Sequence, residues 1–255
     1  MKTLTGGCRV YSAADGPCST FGNWTARAVI SQTTGAQRIT QTVSDYGAGL
    51  SPSVVNPGAE EVLYVAAGQG TCRINGFDYP LGPGAAIFVP PGAVYSIENT
   101  GTGTIRMISS CCPEDPQRHI VEASLPPASG QPPRLLAHED LREDIRAGQD
   151  RLFRYLVYTD LGCRQITQFA GWIPPGKAPV HYHTYEECIF ILEGGGIVHT
   201  DDESCEFGPG SSIYFPIGVR HCVENPGDCT VKLLGAFYPS GSPGEAYEPG
   251  QARDP

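Results

Sequence analysis

Residues 37–101 and 163–227 of this chain align with each other at a nearly constant offset. Glu61 corresponds to Glu187, Gly84 to Gly210, Pro90 to Pro216, Gly92 to Gly218 and Asn99 to Asn225, each 126 positions on. A period this long marks a duplicated domain rather than the unit of a solenoid, so whatever one copy folds into must be built twice. Inside each copy the apolar runs are short: EVLYVAAG, GTCRING, AAIFVPPG and VYSIEN in the first, ECIFILEG, GGIVHT, SSIYFPIG and HCVEN in the second. They are rich in β-branched and aromatic residues and bounded by Gly, Pro, Asn or Asp, which predicts strands. The 32 Gly and 23 Pro residues among 255 supply the turns that many short strands need. The LGPG and FGPG segments predict tight turns where glycine relieves the backbone. The expectation is an all-β protein of two sandwiches or barrels.

Between the copies, residues 115–140 shift toward Pro, Ser, Gly and charge, as a linker does. A boundary near residue 130 gives an N-terminal domain 1–130 and a C-terminal domain 131–255, with a short helix or turn expected in DLREDIRAG. The leading segment is expected to add a strand or cover a sheet edge, and the Gly, Pro and charge-rich tail from residue 240 to be loose. A formal net charge of −10 without a basic run excludes a broad nucleic-acid or anionic-membrane surface. Neither a secretory apolar region nor a run of 18 apolar residues is present, so the expected location is the cytoplasm. Ten cysteines without a CxxC pair predict buried small hydrophobes and incidental thiols rather than staples, although Cys188 and Cys222 directly follow candidate site residues.

The chemistry concentrates in APVHYHTYEECIFILEGGG, residues 178–196. Alternate side chains of a strand share a face, so His181 and His183 project together and Glu187 joins them from the start of the next strand. His221 arrives after the turn PIGVR as a fourth candidate. Any one of these groups at a turn edge would ordinarily be a surface residue; their joint spacing argues for a metal shell. Three imidazoles and a carboxylate suit one divalent transition ion, Fe(II) or Mn(II) favoured, with Ni(II) or Zn(II) compatible, and leave positions open for water or substrate.

At these residues the chain resembles the cupin superfamily, and specifically a two-domain bicupin. GKAPVHYHTYEECIFILEG matches the first cupin motif with one residue missing between Gly176 and His181, and GSSIYFPIGVRHCVEN, residues 210–225, fits the second. The resemblance implies two double-stranded β-helix, or jelly-roll, barrels. It implies His181, His183, Glu187 and His221 as metal ligands and as the catalytic centre. Gly176, Gly194, Gly210, Pro216, Gly218 and Asn225 fall on the family's structural positions. In the first repeat the position matching His221 is Tyr95, and those matching His183 and His181 are Pro57 and Val55. Only Glu61 persists, so no ordinary metal site is expected there and Glu61 with Tyr95 is expected to serve packing.

The fold hosts many reactions. The reading favoured from sequence is a metal-dependent oxygenase, a dioxygenase, acting on a small oxygenated organic molecule, as the resemblance to flavonol-cleaving and gentisate-type ring dioxygenases implies. The alternatives are a non-oxidative lyase, isomerase, decarboxylase or hydrolase that uses the metal as Lewis acid, and a non-catalytic ligand-binding bicupin. The chain also resembles the ureidoglycine aminohydrolase-like bicupins, but that group's ligand pattern differs from the one here. Alternation points Ile189 and Ile191 into the cavity. Gln165, Gln168, His199, Tyr214, Phe215, Arg220 and Lys232 are further candidates to touch a substrate. Without a basic cluster a phosphate is disfavoured, leaving a small organic acid, enol, phenol or amide. Family resemblance also implies a homodimer paired through sheet edges.

Overall fold

The computed structural model describes residues 1–12, 14–114, 117–122, 126–147 and 151–243, so most of the tail lies outside the described residues. Each repeat folds into two antiparallel sheets. In the first, a seven-stranded sheet carries Glu60–Ala67 between Ala85–Val89 and Ile105–Cys112, and faces a six-stranded sheet centred on Val94–Asn99. In the second, an eight-stranded sheet carries Glu186–Glu193 between Ser212–Phe215 and Val231–Tyr238, and faces a four-stranded sheet containing Gly196–Thr200 and His221–Asn225. All-β architecture was expected; closed jelly-roll barrels were not found. All four sheets are open, each ending in edge strands. The physical reason is visible at the site. Between Gly176–Lys177 and Glu186–Glu193 the chain makes only an isolated bridge, His181 to His221, so no continuous ladder joins the two sheets. Their contact is made by side chains instead.

The edges are covered by exchanged arms. Arg9–Tyr11, itself paired with Lys2–Thr3, adds to Ser212–Phe215 of the second repeat, while Leu136–His138 adds to Ala85–Val89 of the first. The leading segment thus caps an edge, as expected, but on the distant repeat. Such caps satisfy backbone groups that would otherwise template aggregation. DLREDIRAG forms a 3-10 turn at Glu139–Leu141 followed by the strand Ile145–Ala147.

Strand alternation divides the core. Along Glu186–Glu193, Cys188 and Phe190 pack into a cluster shared with the first repeat, where Val62 and Tyr64 lie. Ile189 and Ile191 pack into the second repeat's own interior with Phe169, Phe215, Leu233 and Phe237. The same strand therefore faces the neighbouring repeat on one side and the candidate site on the other. The repeat is visible in detail at Gly70 and Gly196, where a Cβ would run into the carbonyl of Glu98 or Glu224 on the adjacent strand. The expected turns form at Gly84 and Gly210, with φ of 87° and 82°, a region open to glycine. All ten cysteines are free. Among the described residues no helix is long and apolar enough to cross a membrane.

Candidate metal centre

His181 and His221 face each other across the isolated bridge, and Gly218 N–H donates to the His183 carbonyl at 2.9 Å, which ties the PIGVR turn to the HxH segment. One nitrogen from each of His181, His183 and His221 lies within 4.8 Å of the others. Ring centroids are 4.6 Å apart for His181 and His221 and 4.9 Å for both other pairs. Glu187 Oε2 stands 3.4 Å from His183 Nε2. His183, Glu187 and His221 are buried and His181 is half-buried.

Two of the imidazoles are oriented by backbone carbonyls. His181 Nδ1 contacts the Pro179 carbonyl at 2.9 Å and His221 Nδ1 the Val219 carbonyl at 2.8 Å. A carbonyl can only accept, so in the neutral ring Nδ1 carries the proton and Nε2 keeps its lone pair. Phe215 stacks on His221 at 3.9 Å, and Tyr185 stacks on His183 at 4.4 Å. Burial, and then the His183 charge, lowers the His181 pKa. Burial, followed by His181 and His183, puts that of His221 well below the ordinary histidine value. His183 Nδ1 is buried without a hydrogen-bond partner. Imidazole nitrogens converging in a cup walled by Phe169, Ile189, Phe215, Val223 and Leu233 fit a cation. The cup measures about 100 Å³.

Of the further candidates, Ile189 and Phe215 line this cup, and Ile191 is buried in the same interior. The others have different duties. Tyr214 donates to Glu186, His199 pairs with Glu224 at 2.7 Å, Arg220 with Asp201 at 3.1 Å and Lys232 with Glu139 at 2.6 Å. Gln165 and Gln168 are not among the lining residues. Cys188 faces the first repeat, and burial pushes its thiol up to about 12, so it is no reactive thiolate. Missed in the sequence were Trp172 and Arg151, both in the cup wall; Arg151 also donates to the Val223 carbonyl at 3.1 Å. The alternation of RLFRYLV was a usable signal for the strand that carries Arg151, but the strand's position beside the cup was not.

In the first repeat the matching place is filled by the chain itself. Arg118 Nη1 lies 3.2 Å from Glu61 Oε1, Arg118 Nη2 donates to the Tyr95 hydroxyl at 3.0 Å, and Tyr95 and Asn56 donate to Glu61 Oε2 at 3.1 and 2.6 Å. A guanidinium thus neutralises the carboxylate that corresponds to Glu187. Burial and then the Glu61 charge hold the Tyr95 phenol far above its usual range, so it stays a donor.

The cupin domain family matches residues 44–111 and 172–237, once in each repeat. The chain belongs to the cupin family, and it is a bicupin. Its second domain contains the His-based metal-binding cluster. An uncharacterised protein of Methanocaldococcus jannaschii is 41% identical to this bicupin over 69 residues, 26% of this chain and 55% of that protein. The chain thus spans about half the length of that relative. A mannose-1-phosphate guanylyltransferase of Escherichia coli is 32% identical over 65 residues, 24% of this chain and 13% of the enzyme. Among solved structures, E. coli YlbA superposes with a TM-score of 0.72 at 15% identity, covering 93% of each chain. Oxalate decarboxylase of Bacillus subtilis superposes with a TM-score of 0.74 at 15% identity over 93% of this chain and 77% of that one. These likenesses show the fold. Against the sequence expectation of an oxidoreductase of the dioxygenase type, the enzyme named in several of the superposing structures is a decarboxylase.

Proposed function

We propose that this bicupin is a metal-dependent, non-oxidative enzyme of the decarboxylase or lyase type, acting on a small organic acid in the cup of the second repeat. The observation that carries the reading is the convergence of three imidazoles, with His181 and His221 each turning Nδ1 to a backbone carbonyl, in an apolar cup that also has Arg151 in its wall. His181, His183 and His221 would hold the ion and Glu187 would complete the set as an anionic donor. The donors are nitrogen and oxygen without thiolate, which favours Mn(II) or Fe(II) over softer ions. When bound, such an ion supplies Lewis-acid polarisation of a substrate oxygen.

The chain's own groups do the rest. Arg151 orients a substrate carboxylate through charge-assisted hydrogen bonds. Phe169, Ile189, Phe215 and Leu233 exclude bulk water, strengthening every polar contact inside. A cup of about 100 Å³ admits only a small substrate. Fold kinship with oxalate decarboxylase supports the reaction class as analogy. On the repeat, we divide the chain into domains 1–130 and 131–255. The exposed edge strand Cys18–Phe21 supports a homodimer formed by edge pairing.

The test is turnover of oxalate and other small carboxylic acids by Mn(II)-loaded protein, with carbon dioxide release and dissolved oxygen followed together. Product without stoichiometric oxygen consumption is expected. Oxygen consumed in step with product, or tight binding of these acids with no turnover, would overturn the reading.

A further inference from the structure

The residue before each metal-position glutamate is also a glutamate, and the two are buried: Glu60 is 6% exposed and Glu186 2%. Neither faces its own cup. Glu186 accepts the backbone N–H groups of Gln37 and Arg38 from the first repeat, at 2.6 and 2.9 Å. Glu60 accepts those of Arg164 and Gln165 from the second, at 3.0 and 2.7 Å. These donors correspond to one another in the repeat, 127 positions apart, and each pair follows a 3-10 turn closed by a left-handed glycine, Gly35 or Gly162. Each repeat therefore clasps the other through the same carboxylate.

The two clasps differ in what lies behind them. Next to Glu60, Glu61 meets Arg118; next to Glu186, Glu187 meets His183. Each clasp has a third donor of its own: the Tyr214 hydroxyl at 2.7 Å on Glu186, where the first repeat has Phe88, and the Cys163 thiol at 3.2 Å on Glu60. On the same strand face, Cys188 Sγ lies 3.5 Å from Ser110 Oγ, and one strand over Ser212 donates to Gln41 at 2.6 Å. Adjacent side chains project from one pleated backbone to opposite faces, so a shift of the backbone at Glu186 carries Glu187 with it.

We infer that Glu186 is a positioning residue for the metal centre: by binding the first repeat's backbone on one face of the strand, it fixes Glu187 on the other. The first repeat thereby sets the geometry of a site to which it contributes no ligand. The inference rests on the proposed metal reading. Buried donors aimed at a carboxylate are poorly served by an amide, whose NH₂ end donates as well. Glu186→Gln and Glu60→Gln therefore weaken the same contact at two distances from the ion.

The experiment loads wild type and both variants with Co(II), records the visible absorption spectrum, measures Co(II) affinity by chelator competition and follows thermal unfolding. Both variants should melt earlier. Only Glu186→Gln should alter the Co(II) spectrum and weaken binding, by about tenfold, the scale seen for groups that orient metal ligands. An unchanged spectrum and affinity in Glu186→Gln would overturn the inference, as would equal changes in Glu60→Gln, which would trace the effect to general docking. No Co(II) or Mn(II) uptake by wild type would overturn the metal reading itself and the inference with it. If Glu186→Gln does not fold, Tyr214→Phe, which reproduces the first repeat's residue, removes one donor from the same carboxylate and is held to the same spectral criterion.

Discussion

His181 and His221 exchange backbone hydrogen bonds, His181 N–H to the His221 carbonyl at 2.9 Å and the reverse at 2.8 Å, and this single bridge sets their rings 4.6 Å apart. Two residues 40 positions apart in the chain are thus registered by backbone hydrogen bonds. Pre-organisation of this kind makes ligand loss separable from misfolding.

Substituting His183 or His221 with Ala should take metal content from about one ion per chain to near none while the fold persists, since a site with open positions needs every protein ligand it has. Plasma mass spectrometry of protein purified without added metal, beside circular dichroism, checks this. Undiminished metal in both variants would remove the ligand assignment.

Lowered pKa values at His181 and His221 fix the sign of a pH effect. In the metal-free chain the unfolded state takes up protons at the ordinary histidine pKa, whereas the folded state does so only at lower pH. Stability is therefore at its full value above the ordinary histidine range and falls as pH drops toward the folded values. Urea midpoints of the metal-free protein should decline across that window, and His221→Asn should flatten the decline. A variant slope equal to that of wild type would show that His221 does not contribute.

Arg118 and Glu61 form a pair in which the glutamate side chain is 0% and the arginine side chain 25% exposed. Removing the cation alone, Arg118→Met, should cost about 3 kcal/mol, the lower end for breaking a buried pair, because partial exposure screens it. Arg118→Met with Glu61→Gln should recover much of that loss. Chemical denaturation of the single and double variants measures both, and metal content in the second repeat should not change.

Gly196→Ala should destabilise by about 1–3 kcal/mol, since its Cβ would meet the Glu224 carbonyl and the Phe207 ring. Gly103, with nothing within 4 Å and no positive φ, should accept Ala at little cost. Equal urea midpoints for the two variants would contradict the close-approach account.

Arg151→Gln should weaken oxalate binding to the Mn(II)-loaded protein about tenfold or more, as loss of a charge-assisted contact does, and leave metal content intact. Calorimetric titration reads the first and mass spectrometry the second. Unchanged oxalate affinity would place the carboxylate elsewhere in the cup.

The sequence by itself determined the duplication, the all-β character and the positions of the histidines, because strand period, turn glycines and HxH spacing are local properties of the chain. Ile189 was legible for the same reason: alternation decides the face of a residue once its strand is known. What lies across from that face is a long-range matter. Open sheets in place of closed barrels, arms capping the distant repeat, Arg118 against Glu61, Arg151 in the cup wall and the Glu186 clasp all join segments far apart in sequence. No local pattern encodes those distances, so they were decided only when burial of the two faces of Glu186–Glu193 brought the repeats together.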